Sequence, residues 1–165
     1  MEIRPLRPED HETVGDLTVA AYAAVEPAVH TTDYAAELRD VAGRSAGVEI
    51  LVAVDGGRVV GAVTYVPGPD SPAAEFTDAD GAGIRMLAVA ADVQGRGVGE
   101  ALTLACVDRA RAQGRGQVIL HSTDRMATAH RLYQRLGFRR DASLDWEPEP
   151  GLWLRGFRLP LDGGA

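Results

Sequence analysis

The sequence predicts an α/β protein built on a central mixed sheet with flanking helices. Three observations predict it. Strand and helix patterns alternate along the 165 residues in the order β-α-α-β-β-β-α-β-α-β-β. Two of the strand patterns, 84–90 and 117–121, are apolar almost throughout, as in strands covered on both faces. The apolar fraction of 45% and the charged fraction of 25% are those of a globular chain long enough to bury a sizeable core. No repeat and no linker composition divides the chain. Residues 1–165 are therefore expected to form a single domain, with 161–165 as a frayed tail.

The elements follow in order. Residues 2–7 alternate as a short strand, which Pro5 confines to an edge or a start. Pro8-Glu9-Asp10 opens a helix with acids in its first turn, and Val14, Leu17, Thr18, Ala21 and Tyr22 form its apolar stripe before Pro27 ends it. Asp33 caps a second helix that runs to about Arg44. Residues 48–55 and 58–66 are strands joined by the hairpin signal Asp55-Gly56-Gly57. Residues 67–83, rich in proline and acids, are expected to be a long loop. The strand 84–90 follows, then a helix over 97–113 that stops at Gly114, then the strand 117–121. Ser122-Thr123-Asp124 supplies caps for a helix that ends at Leu136-Gly137. Strands over 138–146 and 152–159 close the chain, with Pro148 and Pro150 marking the turn between them.

Composition excludes several mechanisms. All 17 basic residues are arginine, and there is no lysine. Phosphate-loop lysine, Schiff-base and kinase-type chemistry are therefore absent. One cysteine, Cys106, forbids an internal disulfide and any multi-cysteine zinc site, and no metal is expected. No apolar run is long enough for a membrane span, and the N-terminal residues lack a signal-peptide pattern, so the expectation is a cytoplasmic protein without membrane partners. A net charge of -7 argues against nucleic-acid binding. That charge is unevenly placed. Residues 94–140 hold nine arginines and three acids, a net +6, leaving -13 for the remainder. A basic segment in an acidic chain suits an anionic ligand.

The most informative stretch is Met86-Leu87-Ala88-Val89 followed by Gln94-Gly95-Arg96-Gly97-Val98-Gly99. A buried strand feeds a glycine-rich turn, and the turn feeds a helix. Glycines let backbone amides converge on a ligand, the helix N-terminus adds partial positive charge, and Arg96 adds a full one. This is a recipe for a pyrophosphate cradle. The dinucleotide fingerprint does not fit, because Gly95, Gly97 and Gly99 have the wrong spacing and Glu100 stands where its last glycine belongs.

Gln94-x-x-Gly97-x-Gly99 after Leu87-Ala88-Val89 resembles the acetyl-coenzyme A signature of the GCN5-related N-acetyltransferases (GNAT). The stretch from Ala129 through Tyr133 to Phe138 resembles that family's second signature helix and the strand entry after it. The element order agrees over essentially the whole chain. The resemblance implies a mostly antiparallel sheet whose middle strands splay apart, with the pantetheine arm in the gap. It implies that Leu87, Ala88 and Val89 offer main-chain groups to that arm. The amide of Val89 or its neighbour would polarise the thioester carbonyl, and Gln94, Gly95, Arg96, Gly97, Val98 and Gly99 would hold the pyrophosphate. It also implies that Tyr133 is the general acid for the leaving thiolate.

Two positions depart from the family pattern. Met126 stands where many relatives carry an asparagine that contacts the arm. Gly83, Ile84 and Arg85 occupy the stretch where some relatives carry a glutamate base. The candidate bases are Glu75, Asp78, Asp80, His30 and His121, of which His121 is the leading one. Cys106 lies on an apolar stripe and is expected in the core, since family transfer is direct. Acetyl-CoA is the expected donor, and a small-molecule or peptide amine is the expected acceptor, favoured by the acids Asp70, Glu75, Asp78 and Asp80 if cationic. Trp146 and Trp153 flank a turn and would pack, line the acceptor pocket or make a homodimer contact. Two other readings stay open: a module that binds acetyl-CoA without transfer, and an acyltransferase for other acyl donors or acceptors.

Overall fold

The structure, a computed structural model, describes residues 1–26 and 33–161. Its strands are β1 (Glu2–Pro5), β2 (Glu49–Asp55), β3 (Arg58–Val66), β4 (Gly81–Val89), β5 (Gln117–Ser122), β6 (Arg139–Arg140), β7 (Trp146–Glu149) and β8 (Leu152–Pro160). Its helices are α1 (His11–Val25), α2 (Asp33–Arg39), α3 (Val98–Ala112) and α4 (Ala127–Arg135). The strand order is β1-β2-β3-β4-β5-β8-β6, with β7 paired to β8 off that path. Every pairing is antiparallel except β4 with β5, so the sheet is mixed and mostly antiparallel as expected.

The strand pleat divides the core. Leu51 and Ala53 on β2 face a large cluster with Leu102 and Cys106 of α3, Leu120 of β5 and Phe157 of β8. Their neighbours Ile50 and Val52 face the opposite side, against Val14 of α1, Val41 and Ala62. Gly56 and Gly57 make the β2–β3 turn with φ of 58° and 78°, the left-handed pair that a two-residue hairpin needs. Gly15 lets α1 meet the end of α2, since a Cβ there would stand 3.1 Å from the Arg39 carbonyl oxygen.

Several boundaries differ from expectation. The second helix stops at Arg39 rather than Arg44, because the Asp40 carboxylate accepts the Gly43 N–H at 3.0 Å and diverts the chain into a short 3-10 turn. β4 starts at Gly81, inside the expected loop. Gly81 and Gly83 resemble loop residues in sequence, yet they are bare so that the Phe76 ring can lie on the strand. Ser122-Thr123-Asp124 do not cap α4, which starts at Ala127. Ser122 ends β5, and the Asp124 carboxylate accepts from Arg155 at 3.1 Å. The expected strand 138–146 divides into β6, a 3-10 turn capped by Asp141 and β7, so that Pro148 lies within β7 rather than in the turn. Leu161, expected in the frayed tail, is buried and donates its N–H to the Gly116 carbonyl at 2.8 Å. Pro27, His30 and residues 162–165 lie outside the described residues.

Candidate active site

The site is built around the place where β4 and β5 part. Their register runs from Gly81 opposite Gln117 to Ile84 opposite Leu120 and ends there. β4 continues to Val89 paired only with β3. Along that pairing β3 advances from Ala62 to Thr64 while β4 covers Arg85 to Ala88, one residue more. The extra residue is taken up at Met86, the one non-glycine with positive φ (54°) among the described residues. Beyond Ile84 the edge of β4 that faces β5 therefore has no strand partner. Its main-chain groups are free to bond a ligand.

The glycine-rich turn lies at one end of this edge. Gln94, Gly95, Arg96 and Gly97 are all exposed. Gly95 and Gly97 have φ of 81° and 83°, and a Cβ on either would meet nothing within 4 Å. The backbone needs glycine there, and the space above it is open. Gly97 is the N-cap of α3 and offers no side-chain cap, so the first N–H groups of α3 have no intrahelical acceptor. Glu100 lies in the same turn, but its carboxylate is 3.8 Å from Arg135 of α4. Gly99 is the meeting point of three elements. A Cβ there would lie 3.5 Å from Leu132 of α4, 3.7 Å from Val89 and 3.8 Å from Leu87. These features suit a pyrophosphate with an extended amide-bearing arm.

Tyr133, one residue beyond Leu132, is 6% exposed, with its ring centroid 5.7 Å from that of Phe138 and 6.1 Å from that of Phe157. Burial pushes its phenol well above the ordinary tyrosine range, so it is protonated at any physiological pH. Its hydroxyl makes no hydrogen bond among the described residues. His121, near the end of β5, is half-buried with Nε2 at 2.8 Å from the Leu144 carbonyl oxygen. That bond requires the proton on Nε2, which makes Nδ1 the basic nitrogen of the neutral ring. Cys106 is fully buried, and burial pushes its thiol up, as suits a core residue.

A groove of about 1000 Å³ opens beside this framework. Tyr22, Tyr34, Arg85, His121, Trp146 and Trp153 are among the residues that line it. Both tryptophans are exposed, and Arg155 stacks over Trp153 at 5.4 Å. The loop acids are largely engaged. Glu75 pairs with Arg85 at 2.8 Å, Asp78 with Arg158 at 3.0 Å, and Asp80 accepts from Gln117 at 2.7 Å. The structure places Gly99 of the glycine turn beside Leu87, Val89 and Leu132 and puts His121 in the lining of the groove, whereas Tyr133 is buried against Phe138 and Phe157 and does not line the groove. Sequence reasoning missed Arg85 as a groove residue, since strand alternation does not reveal which face a loop will cover. Among the described residues no group of three or more His, Cys, Asp or Glu side chains could hold a metal ion, and no helix is long and apolar enough to cross a membrane.

Comparison with known proteins decides the family. The model of the GNAT acetyltransferase family matches residues 13–138, most of the chain. The chain belongs to the GNAT acetyltransferase family. Among solved structures it is similar to a GCN5-related N-acetyltransferase from Kribbella flavida, at 25% identity with a TM-score of 0.71 over 97% of each chain. It is also similar to yncA from Salmonella typhimurium, described as an acetyltransferase and solved with its cofactor acetyl-CoA, at 22% identity with a TM-score of 0.70 over 98% of this chain and 94% of that one. A curated relative, mycothiol acetyltransferase from Rhodococcus opacus (strain B4), is 42% identical over 57 residues. Those residues are 34% of this chain and 19% of that relative, so the match spans about a fifth of its length.

Proposed function

We propose that this GNAT protein transfers an acetyl group from acetyl-CoA directly to a primary amine. The observation that carries the reading is the parting of β4 from β5 beside the open glycine turn. It leaves an unpaired strand edge close to the start of α3, where Gly99 meets Leu87, Val89 and Leu132, the neighbour of Tyr133 in sequence. The amides of Gln94 to Gly99, with Arg96 as counter-charge, would hold the pyrophosphate. The free edge of Leu87, Ala88 and Val89 would bond the amides of the arm. Acetyl-CoA, when bound, supplies the activated thioester.

The remaining work falls to the chain's own groups. A main-chain N–H at Val89 would donate to the thioester carbonyl oxygen, where negative charge develops. His121 accepts the proton of the attacking amine at Nδ1. Tyr133, kept neutral by burial, delivers a proton to the departing sulfur. The acceptor lies in the groove beside β4. Cys106 takes no part, because it is buried away from the opening. Met126, at the start of α4, favours a second reading as a binding module without turnover, since it cannot donate to the arm as an asparagine would.

Release of free thiol from acetyl-CoA, followed over a panel of amines, tests the proposal. Amine-dependent release supports transfer. Tight acetyl-CoA binding with no release under any amine supports the binding module instead, and replacing acetyl with longer acyl donors tests the acyl preference.

A further inference from the structure

We infer that the acceptor of this enzyme is an aliphatic polyamine, with two or more ammonium groups, and that Glu149 and Trp146 hold the one that does not react. The inference rests on the transferase reading above. The groove lining holds five carboxylates against two guanidinium groups, Arg85 and Arg125. Three of the carboxylates are matched. Glu75 pairs with Arg85 at 2.8 Å, Glu26 with Arg125, and Asp124 with Arg155 at 3.1 Å. The other two are Asp33 and Glu149. Among the described residues no arginine nitrogen lies within 4.0 Å of either. The charge left over in the groove is negative, which suits a cation.

Glu149 and Trp146 share one face of the β7–β8 hairpin. Trp146 pairs with Leu154 and Glu149 with Leu152, so β7 spends one residue more than β8 between the two pairs. That bulge offsets the strand alternation and brings both side chains to the face of Leu152 and Leu154. All four residues line the groove. Trp146 is 41% exposed, and among the described residues no ring or guanidinium stacks on it. Trp153, by contrast, already carries a cation, the Arg155 guanidinium at 5.4 Å. The neighbouring acid Glu147 is also engaged, accepting the Gly151 N–H at 3.1 Å. A free carboxylate and a free indole on one face bind an alkylammonium by charge and by cation–π attraction.

The proposed base is within reach of this face. His121 bonds the Leu144 carbonyl at 2.8 Å, and two residues, about 7 Å of chain, separate Leu144 from Trp146. An alkyl chain of the length of a lysine stem covers such a gap. Beside His121 lies a second group that lacks a partner. Ser122 lines the groove and is 4% exposed, and its Oγ makes no hydrogen bond among the described residues. A buried hydroxyl of this kind is costly until it is bonded, and the N–H groups of the reacting amine supply what it lacks. One nitrogen of the acceptor thus lies at His121 and Ser122 and another at Glu149 and Trp146. A monoamine fills only the first place, and a carboxylate at the far end is repelled from the second.

The test compares acceptors of matched length in the thiol-release assay: diaminobutane against butylamine, aminobutanol and aminobutyrate. Wild-type protein should favour the diamine by about tenfold in kcat/KM, mainly through KM, as one exposed ion pair and one cation–π contact together provide. The advantage should shrink as salt is raised, and aminobutyrate should be the poorest acceptor. Glu149→Gln and Trp146→Leu should each remove most of the advantage, while acetyl-CoA affinity by calorimetry stays that of wild type. Binding is read separately from turnover. Diaminobutane titrated into the protein in the presence of coenzyme A should change the tryptophan emission, and butylamine at the same concentration should not. Diamine binding with no thiol release supports the subsite while the transferase reading fails. Equal kcat/KM for diaminobutane, butylamine and aminobutanol overturns the inference and leaves the transferase reading intact.

Discussion

The Phe76 ring occupies the space above Gly83, 2.7 Å from where a Cβ on that glycine would stand. This contact folds the loop before β4 back over the strand and carries Glu75 to Arg85. It also gives a physical reason for a glycine at this strand position, since a Cβ would collide with the ring. Gly83→Ala must displace Phe76 or shift the backbone. Overpacking of this kind should cost about 1–3 kcal/mol, read as a lower Tm. Acetyl-CoA affinity should be retained, because the glycine turn lies at the far end of β4. A Tm equal to wild type would show that Phe76 moves freely and does not hold the loop.

Tyr133→Phe removes the proposed acid while leaving the ring packing against Phe138 and Phe157 in place. Turnover should fall by about 100-fold or more, in the range of general acid catalysis, with little change in acetyl-CoA Kd. Because burial holds the phenol above its ordinary range, the wild-type rate should show no loss on the basic side through about pH 10, where a free tyrosine would ionise. A fall in rate with a midpoint near the free value would contradict the assignment.

Gly97→Glu should abolish acetyl-CoA binding in calorimetry, since it places a carboxylate at the open mouth of the cradle. The left-handed φ of 83° strains any side chain, so a matched control is needed. Gly114→Glu supplies it, with φ of 71° and equally open surroundings at the other end of α3. Loss of binding in both variants would point to strain instead of the cradle.

Asp145 anchors the start of β7. Burial pushes its carboxyl up, but the Arg140 and Arg155 guanidinium groups and the Gly156 N–H outweigh that and bring it down to about 2. A folded-state value below the ordinary carboxylate value contributes stability above about pH 4 that is lost as pH falls toward 2. Asp145→Asn should therefore lower the Tm at neutral pH and flatten its dependence on pH between about 4 and 2. An unchanged slope would remove Asp145 from the acid response.

Much of the fold was legible because its signals are local. The hairpin at Gly56-Gly57, the apolar strands β4 and β5 and the glycine turn before α3 each announce themselves in consecutive residues. What was not legible depends on contacts between distant segments. Asp124 does not cap α4, because Arg155, 31 residues away, takes its carboxylate. The chain between Phe138 and Trp146 breaks because Asp141 caps a turn and Leu144 packs over Gly156, where a Cβ would meet it at 2.2 Å. The site divides in the same way. The cradle and Tyr133 lie in contiguous motifs, whereas the Glu75–Arg85 pair exists only once a loop has folded over β4.

Direct transfer is tested most closely by following acetyl from labelled acetyl-CoA under single-turnover conditions, with the intact mass of the protein measured alongside. Without an amine, the protein should keep its unmodified mass and release no thiol. Once the amine is added, label should appear on the amine and thiol in solution in equal amounts. An acetylated protein, or thiol released at the same rate with no amine present, would contradict direct transfer through Tyr133 and His121.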